Sequence, residues 1–139
     1  MTVEDRAIFR SIILPAEAAP AVYRAGQLLD ELGHDVVPAE SPDHALDLLQ
    51  QDQTDLLIVD VSGSSRNRQF VSQVADLPAD ARPRQLAIFC ESIDESLRGL
   101  RNRLKPCKLH IFVKPLHMHG LLSVLRRLDE QNQPAGGRV

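Results

Sequence analysis

Three side chains of this sequence stand where a fold can put them to chemical use. A carboxylate, Asp60, closes the apolar run Leu56-Leu57-Ile58-Val59. A thiol, Cys90, closes Leu86-Ala87-Ile88-Phe89, and an ammonium, Lys114, follows Ile111-Phe112-Val113. Asp60 and Lys114 carry opposite charges and can pair directly. A reactive Cys90 would need a neighbouring histidine or a helix N-terminus to hold a thiolate. The local sequence supplies neither, so Cys90 reads as a small buried apolar residue, and Cys107 has no stronger claim. His110, His117 and His119 bring metal-ligand types together, but a zinc site needs three or four converging ligands, and no metal site is expected. The Ser62-Gly63-Ser64-Ser65 stretch could offer backbone N–H groups to a phosphate, yet its composition is that of an ordinary loop. Arg98, Arg101, Arg103, Lys105 and Lys108 gather positive charge in one stretch. Arg98, Arg101 and Lys105 stand three and four apart and share one helical face, a candidate surface for an acidic partner.

The elements that position these groups follow from alternating short apolar runs and amphipathic stretches. Strands are expected over 7–14, 34–38, 55–60, 85–90 and 110–113. Four successive apolar residues before Asp60 suit a strand buried on both faces. Val22, Ala25, Leu29 and Leu32 recur at helical spacing over 20–32, with Gly33 at the stop. Ser41-Pro42 supplies an N-cap and a first-turn proline for a second helix through Ala45, Leu48 and Leu49. Residues 61–68 read as a loop, Phe70, Val74 and Leu77 mark a third helix, and Leu97, Leu100 and Leu104 a fourth, ended by Pro106. Leu121, Leu125 and Leu128 carry a last helix. Five strands each followed by a helix give an α/β fold, a doubly wound five-stranded parallel sheet of flavodoxin-like (βα)5 type. One domain is expected over 1–130, with 131–139 a disordered tail or linker. In such sheets the working residues lie at the carboxyl ends of the strands, which selects 15–17, 60–62, 90–92 and 114–115.

At those positions the sequence resembles the receiver domains of two-component response regulators, from about 7 to 128. DLLIVD ending in Asp60, FVKPL with Lys114-Pro115, and LLDELGHDVVPAESPDHALDLLQ carry the likeness through their order and spacing. The resemblance implies that Asp60 occupies the place of the phosphoryl acceptor, supplied by a histidine kinase. It also implies two adjacent acids after the first strand to hold Mg²⁺, a Ser or Thr ending the fourth strand, and a Lys ending the fifth. Bringing a carboxylate and a phosphoryl group together requires such neutralisation.

The sequence departs from that pattern. Pro15 and Ala16 stand where the acidic pair belongs, Glu17 falls one place later, and Cys90 stands at the Ser/Thr position. Ile111 holds the place of the aromatic switch residue; Phe112, one further along, is expected on the other face of the strand. The favoured reading is therefore a receiver-like module that binds a protein partner or itself without phosphorylation, through the face running from the fourth helix to the fifth. On that reading the chain is not an enzyme, needs no cofactor, and holds Asp60 and Lys114 as a structural ion pair at the sheet edge. The alternative is a single-domain response regulator phosphorylated on Asp60, with Glu17 rescuing Mg²⁺ binding.

Composition narrows the field. The 139 residues carry 43% hydrophobic and 25% charged side chains, ordinary for a globular protein. A net charge of −3 and 4% aromatics argue against nucleic-acid binding. Two cysteines without a CxxC, no signal-like N-terminus and no membrane-length apolar run suggest the cytoplasm. No GxGxxG, Walker A or GxSxG motif is present. With Pro15 and Ala16 in place of an acidic pocket, the negative charge is expected to spread over the surface while the basic residues gather near the fourth helix.

Overall fold

The computed structural model describes residues 10–14, 21–105 and 107–114, together with 123, 126 and 127. Leu56–Asp60 forms β3, and all five of its residues are buried, as the unbroken apolar run requires. It is the middle of a five-stranded sheet. The other strands are β1 (Arg10–Leu14), β2 (Asp35–Pro38), β4 (Gln85–Cys90) and β5 (Lys108–Val113). Their order is β2-β1-β3-β4-β5 and every pair is parallel. This is the doubly wound sheet expected from the sequence.

Between the strands run α1 (Ala21–Glu31), α2 (Pro42–Gln51), α3 (Ser65–Ala75) and α4 (Glu95–Arg103). Strand alternation divides the core into two layers. Leu57, Val59, Leu86 and Ile88 join apolar residues of α2, α3 and α4. Leu56, Ile58, Ala87 and Phe89 meet Val22, Ala25 and Leu29 of α1 on the opposite face. Gly26 lets α1 lie close on the sheet, since a Cβ there would come within 2.9 Å of the Ile13 Cδ1 atom. Gly33 closes α1 with φ +92, the left-handed geometry its position suggested. Ser41 caps α2, its Oγ accepting from the His44 backbone N–H at 3.1 Å.

Several boundaries differ from expectation, and β5 begins at Lys108, two residues before the expected His110. The loop read over 61–68 ends early, because Ser64 Oγ accepts from the Asn67 N–H at 3.1 Å and starts α3 at Ser65. Lys105 lies beyond the end of α4, so the shared helical face stops at Arg101. The predicted strand residues 7–9, the final helix through Leu121, Leu125 and Leu128, and 131–139 lie outside the described residues. Among those described, no helix is long and apolar enough to cross a membrane.

Candidate functional site

Parallel register brings the three singled-out side chains to one rim of the sheet. Asp60 is level with Phe89, and Cys90 with Val113. The ladder continues past the strands, with Val61 N–H donating to Phe89 O at 2.9 Å and Lys114 N–H to Cys90 O at 2.8 Å. Lys114 is thereby aimed across β4 towards β3. Its ammonium pairs with Asp60 Oδ2. The other carboxylate oxygen, Oδ1, accepts from the Ser62 N–H at 2.9 Å. The Asp60 side chain is 0% exposed and that of Lys114 20%. A carboxylate so buried must be compensated by charge and hydrogen bonds, and here both of its oxygens are. The expected ion pair is present, but it lies over the central strand and not at the sheet edge.

The loop after β3 is built around this carboxylate. Gly63 takes φ +63, turning the chain back over Asp60. Asn67, buried in the first turn of α3, donates its Nδ2 to the Asp60 carbonyl at 2.8 Å. No local signal marked Asn67, because an asparagine in a polar stretch shows its burial only once α3 lies on the sheet. The serine loop lines an open groove of about 350 Å³ together with Leu14, Glu40, Ser41 and Arg66.

Cys90 is fully buried, its Sγ 3.8 Å from the Phe112 carbonyl oxygen. Burial chiefly pushes the thiol above its ordinary pKa; Arg68 pulls it down, Asp94 and Asp60 raise it, and Lys114 lowers it. It is therefore a protonated, enclosed group at neutral pH. Ile111 faces the α2–α3–α4 layer and Phe112 the α1 layer, as alternation required. Phe112 meets Phe89 edge to face, with ring centres 5.9 Å apart. Glu17, Pro15 and Ala16 lie outside the described residues, as do His117 and His119.

The receiver resemblance implies Mg²⁺, and the donor set can be tested against it. A hard divalent cation wants several carboxylate or carbonyl oxygens free to converge. Asp60 has both oxygens engaged by N–H donors, and among the described residues no three His, Cys, Asp or Glu are grouped to hold a metal ion. The described residues do not fit the metal.

Charge is sorted between the two edges of the sheet, contrary to the even spread expected of the negative residues. Residues 21–52, which hold α1, β2 and α2, carry seven carboxylates and one arginine. Residues 95–114, which hold α4 and β5, carry six Lys and Arg and one carboxylate. On the basic edge Arg101, Lys105, Lys108, His110, Phe112 and Arg127 border a groove of about 530 Å³. No carboxylate is among its described lining residues. Arg101 donates to the Leu109 carbonyl at 3.0 Å, which tethers it at the groove, whereas Arg98 is exposed one turn away. His110 bonds Gln85 Oε1 at 2.9 Å. Burial, then the cations Arg101, Lys108 and Arg127, hold its pKa below 6.5.

Sequence reasoning also missed the arginine braces. Arg82 donates to the carbonyls of Leu77, Ala75 and Lys105, tying the end of α3 to the turn after α4. Arg68 pairs with Asp94, which caps α4. A charged residue in a polar stretch reveals such partners only through the fold.

No protein-family model matches the chain. No curated protein matches it either. Solved structures do. The chemotaxis protein CheY4 of Vibrio cholerae is similar with a TM-score of 0.67 and 18% identity, over 88% of this chain and 99% of that one. A CheY-like receiver domain from Methylobacillus flagellatus gives a TM-score of 0.64 and 15% identity over the same shares. Another, from Methanospirillum hungatei JF-1, gives 0.64 and 13% over 91% of this chain and 97% of its own. These identities speak to architecture alone: the chain has the fold of the CheY-like response-regulator receiver domains.

Proposed function

We propose that this chain is a receiver-type signalling module that acts by binding a protein partner, with Asp60 serving as half of a structural ion pair and not as a phosphoryl acceptor. The observation that carries this reading is the buried Asp60 carboxylate, with Lys114 on one oxygen and the Ser62 N–H on the other. In the sequence Pro15 and Ala16 replace the acids that would hold a metal beside it. Transfer of a phosphoryl group to a carboxylate joins two anions, and the electrostatic stabilisation it needs is commonly worth several kcal/mol. Losing it slows the reaction by orders of magnitude. The module works without a cofactor, and its docking surface is the α4–β5 face with its basic groove.

Incubation with acetyl phosphate and Mg²⁺, followed by intact mass measurement, tests the reading. The expected spectrum is that of the unmodified chain. A stoichiometric phosphoryl adduct that disappears in Asp60→Asn would overturn it in favour of a phosphorylated response regulator in which Glu17 helps to hold Mg²⁺.

A further inference from the structure

The total of −3 conceals a molecule with one acidic and one basic edge. On the β2 side Asp30, Glu31, Asp35, Glu40, Asp43 and Asp47 are all exposed. None of them has an ion-pair partner among the described residues. On the β5 side Arg98, Arg101, Lys105 and Lys108 are exposed and equally unpaired with carboxylates among the described residues. The two edges are the ends of the strand order β2-β1-β3-β4-β5, so they lie on opposite sides of the domain. A two-fold contact would set the basic face against its own copy, and like charges facing each other across an interface are unfavourable. A head-to-tail contact sets cations against carboxylates instead.

We infer that the partner of the basic α4–β5 face is the acidic α1–β2–α2 edge of a second copy of this chain. The inference rests on the docking role proposed above for the basic face, and it names the occupant. Side chains make this contact: β2 ends in Pro38, which lacks an N–H to extend a ladder, and presents the charge of Asp35 at its start. A pair so joined keeps one free edge of each sign, one on each copy, so the assembly grows into a ring or an open chain.

Sedimentation velocity of the full chain, over a series of protein and salt concentrations, tests this. Charges on exposed edges feel each other over about 30 Å at 0.01 M salt and about 10 Å at 0.1 M. Association beyond the dimer is expected at low salt, with its Kd weakened about tenfold or more at high salt. Lys105→Glu with Lys108→Glu takes residues 95–114 from a net +5 to +1, and Asp43→Lys with Asp47→Lys takes residues 21–52 from −6 to −2. Each variant alone is expected to be monomeric, and an equal mixture of the two to associate. Carbodiimide coupling of mixed isotope-labelled wild-type chains needs no variant, and should join Lys105 or Lys108 of one copy to carboxylates of residues 30–47 of another. A monomer at every salt concentration, association surviving either double substitution, or couplings confined to other surfaces would overturn the inference. The failures separate, because a monomeric chain removes only the head-to-tail contact, whereas an acetyl phosphate adduct on Asp60 removes the binding-only function.

Discussion

Replacing Lys114 by methionine keeps an unbranched apolar stem and removes the charge that compensates Asp60. The Asp60 side chain is 0% exposed, and the Ser62 N–H is its other donor. Removing one partner of a fully buried ion pair costs about 3–5 kcal/mol, whereas exposed pairs contribute about 0–1 kcal/mol. Lys114 is 20% exposed, so water already screens part of the attraction. The expected loss is about 2–3 kcal/mol, a fall in Tm of roughly 6–15 °C for a domain of this size. Asp60→Asn retains an acceptor for the Ser62 N–H and leaves the partly exposed ammonium to water, so about 1–2 kcal/mol is lost. The double variant should cost less than the sum of the two, with a coupling of about 1–2 kcal/mol. The sign for Asp60→Asn discriminates between readings. Where several carboxylates crowd one site, neutralising one relieves repulsion and stabilises the fold; a lone carboxylate held by a lysine loses stability instead. Urea unfolding followed by circular dichroism at neutral pH gives all four corners of the cycle. A stabilised Asp60→Asn, or a Lys114→Met variant within about 0.5 kcal/mol of wild type, would refute the structural ion pair.

The other perturbations address the buried Cys107 thiol and the turn over Asp60. Burial pushes the Cys107 thiol up to about 11, against an ordinary 9.0, with Arg82 opposing. The folded state therefore resists an ionisation that the unfolded chain undergoes, so stability holds below pH 9 and is lost as pH rises from about 9 to 11. Urea midpoints across that range should fall more steeply for wild type than for Cys107→Ala; parallel curves would contradict the assignment. Asn67→Ala removes the 2.8 Å donor to the Asp60 carbonyl and should cost about 1–2 kcal/mol by urea unfolding. A neutral outcome would mean that the other bonds of the turn, the Ser62 N–H to Asp60 Oδ1 among them, hold it without Asn67.

Local pattern was sufficient for much of the architecture. The apolar run before Asp60 announced a strand buried on both faces, and Gln85–Cys90 forms over the residues the sequence marked. Ser41-Pro42 and Gly33 marked helix ends because caps and left-handed residues act within a few positions of themselves. The start of α3 was hidden because its first turn, Ser65 to Arg68, contains no apolar residue to begin a period. Its cap, Ser64, stands among other serines and a glycine that together resemble a loop.

What the sequence by itself determined is the inventory: five strands, the side chains at their carboxyl ends, and the replacement of an acidic pair by Pro15 and Ala16. Only the tertiary structure decided what those side chains do to one another. Strand order is not a local property, and it made β3 the centre of the sheet, so that Asp60 and Lys114 pair in a buried place and not at an edge. The same order sent β2 and β5 to opposite sides and carried the acidic and basic segments with them. A net charge sums over the chain without regard to position, whereas electrostatic attraction depends on distance. A count of −3 therefore could not reveal two oppositely charged edges, and the folded sheet does.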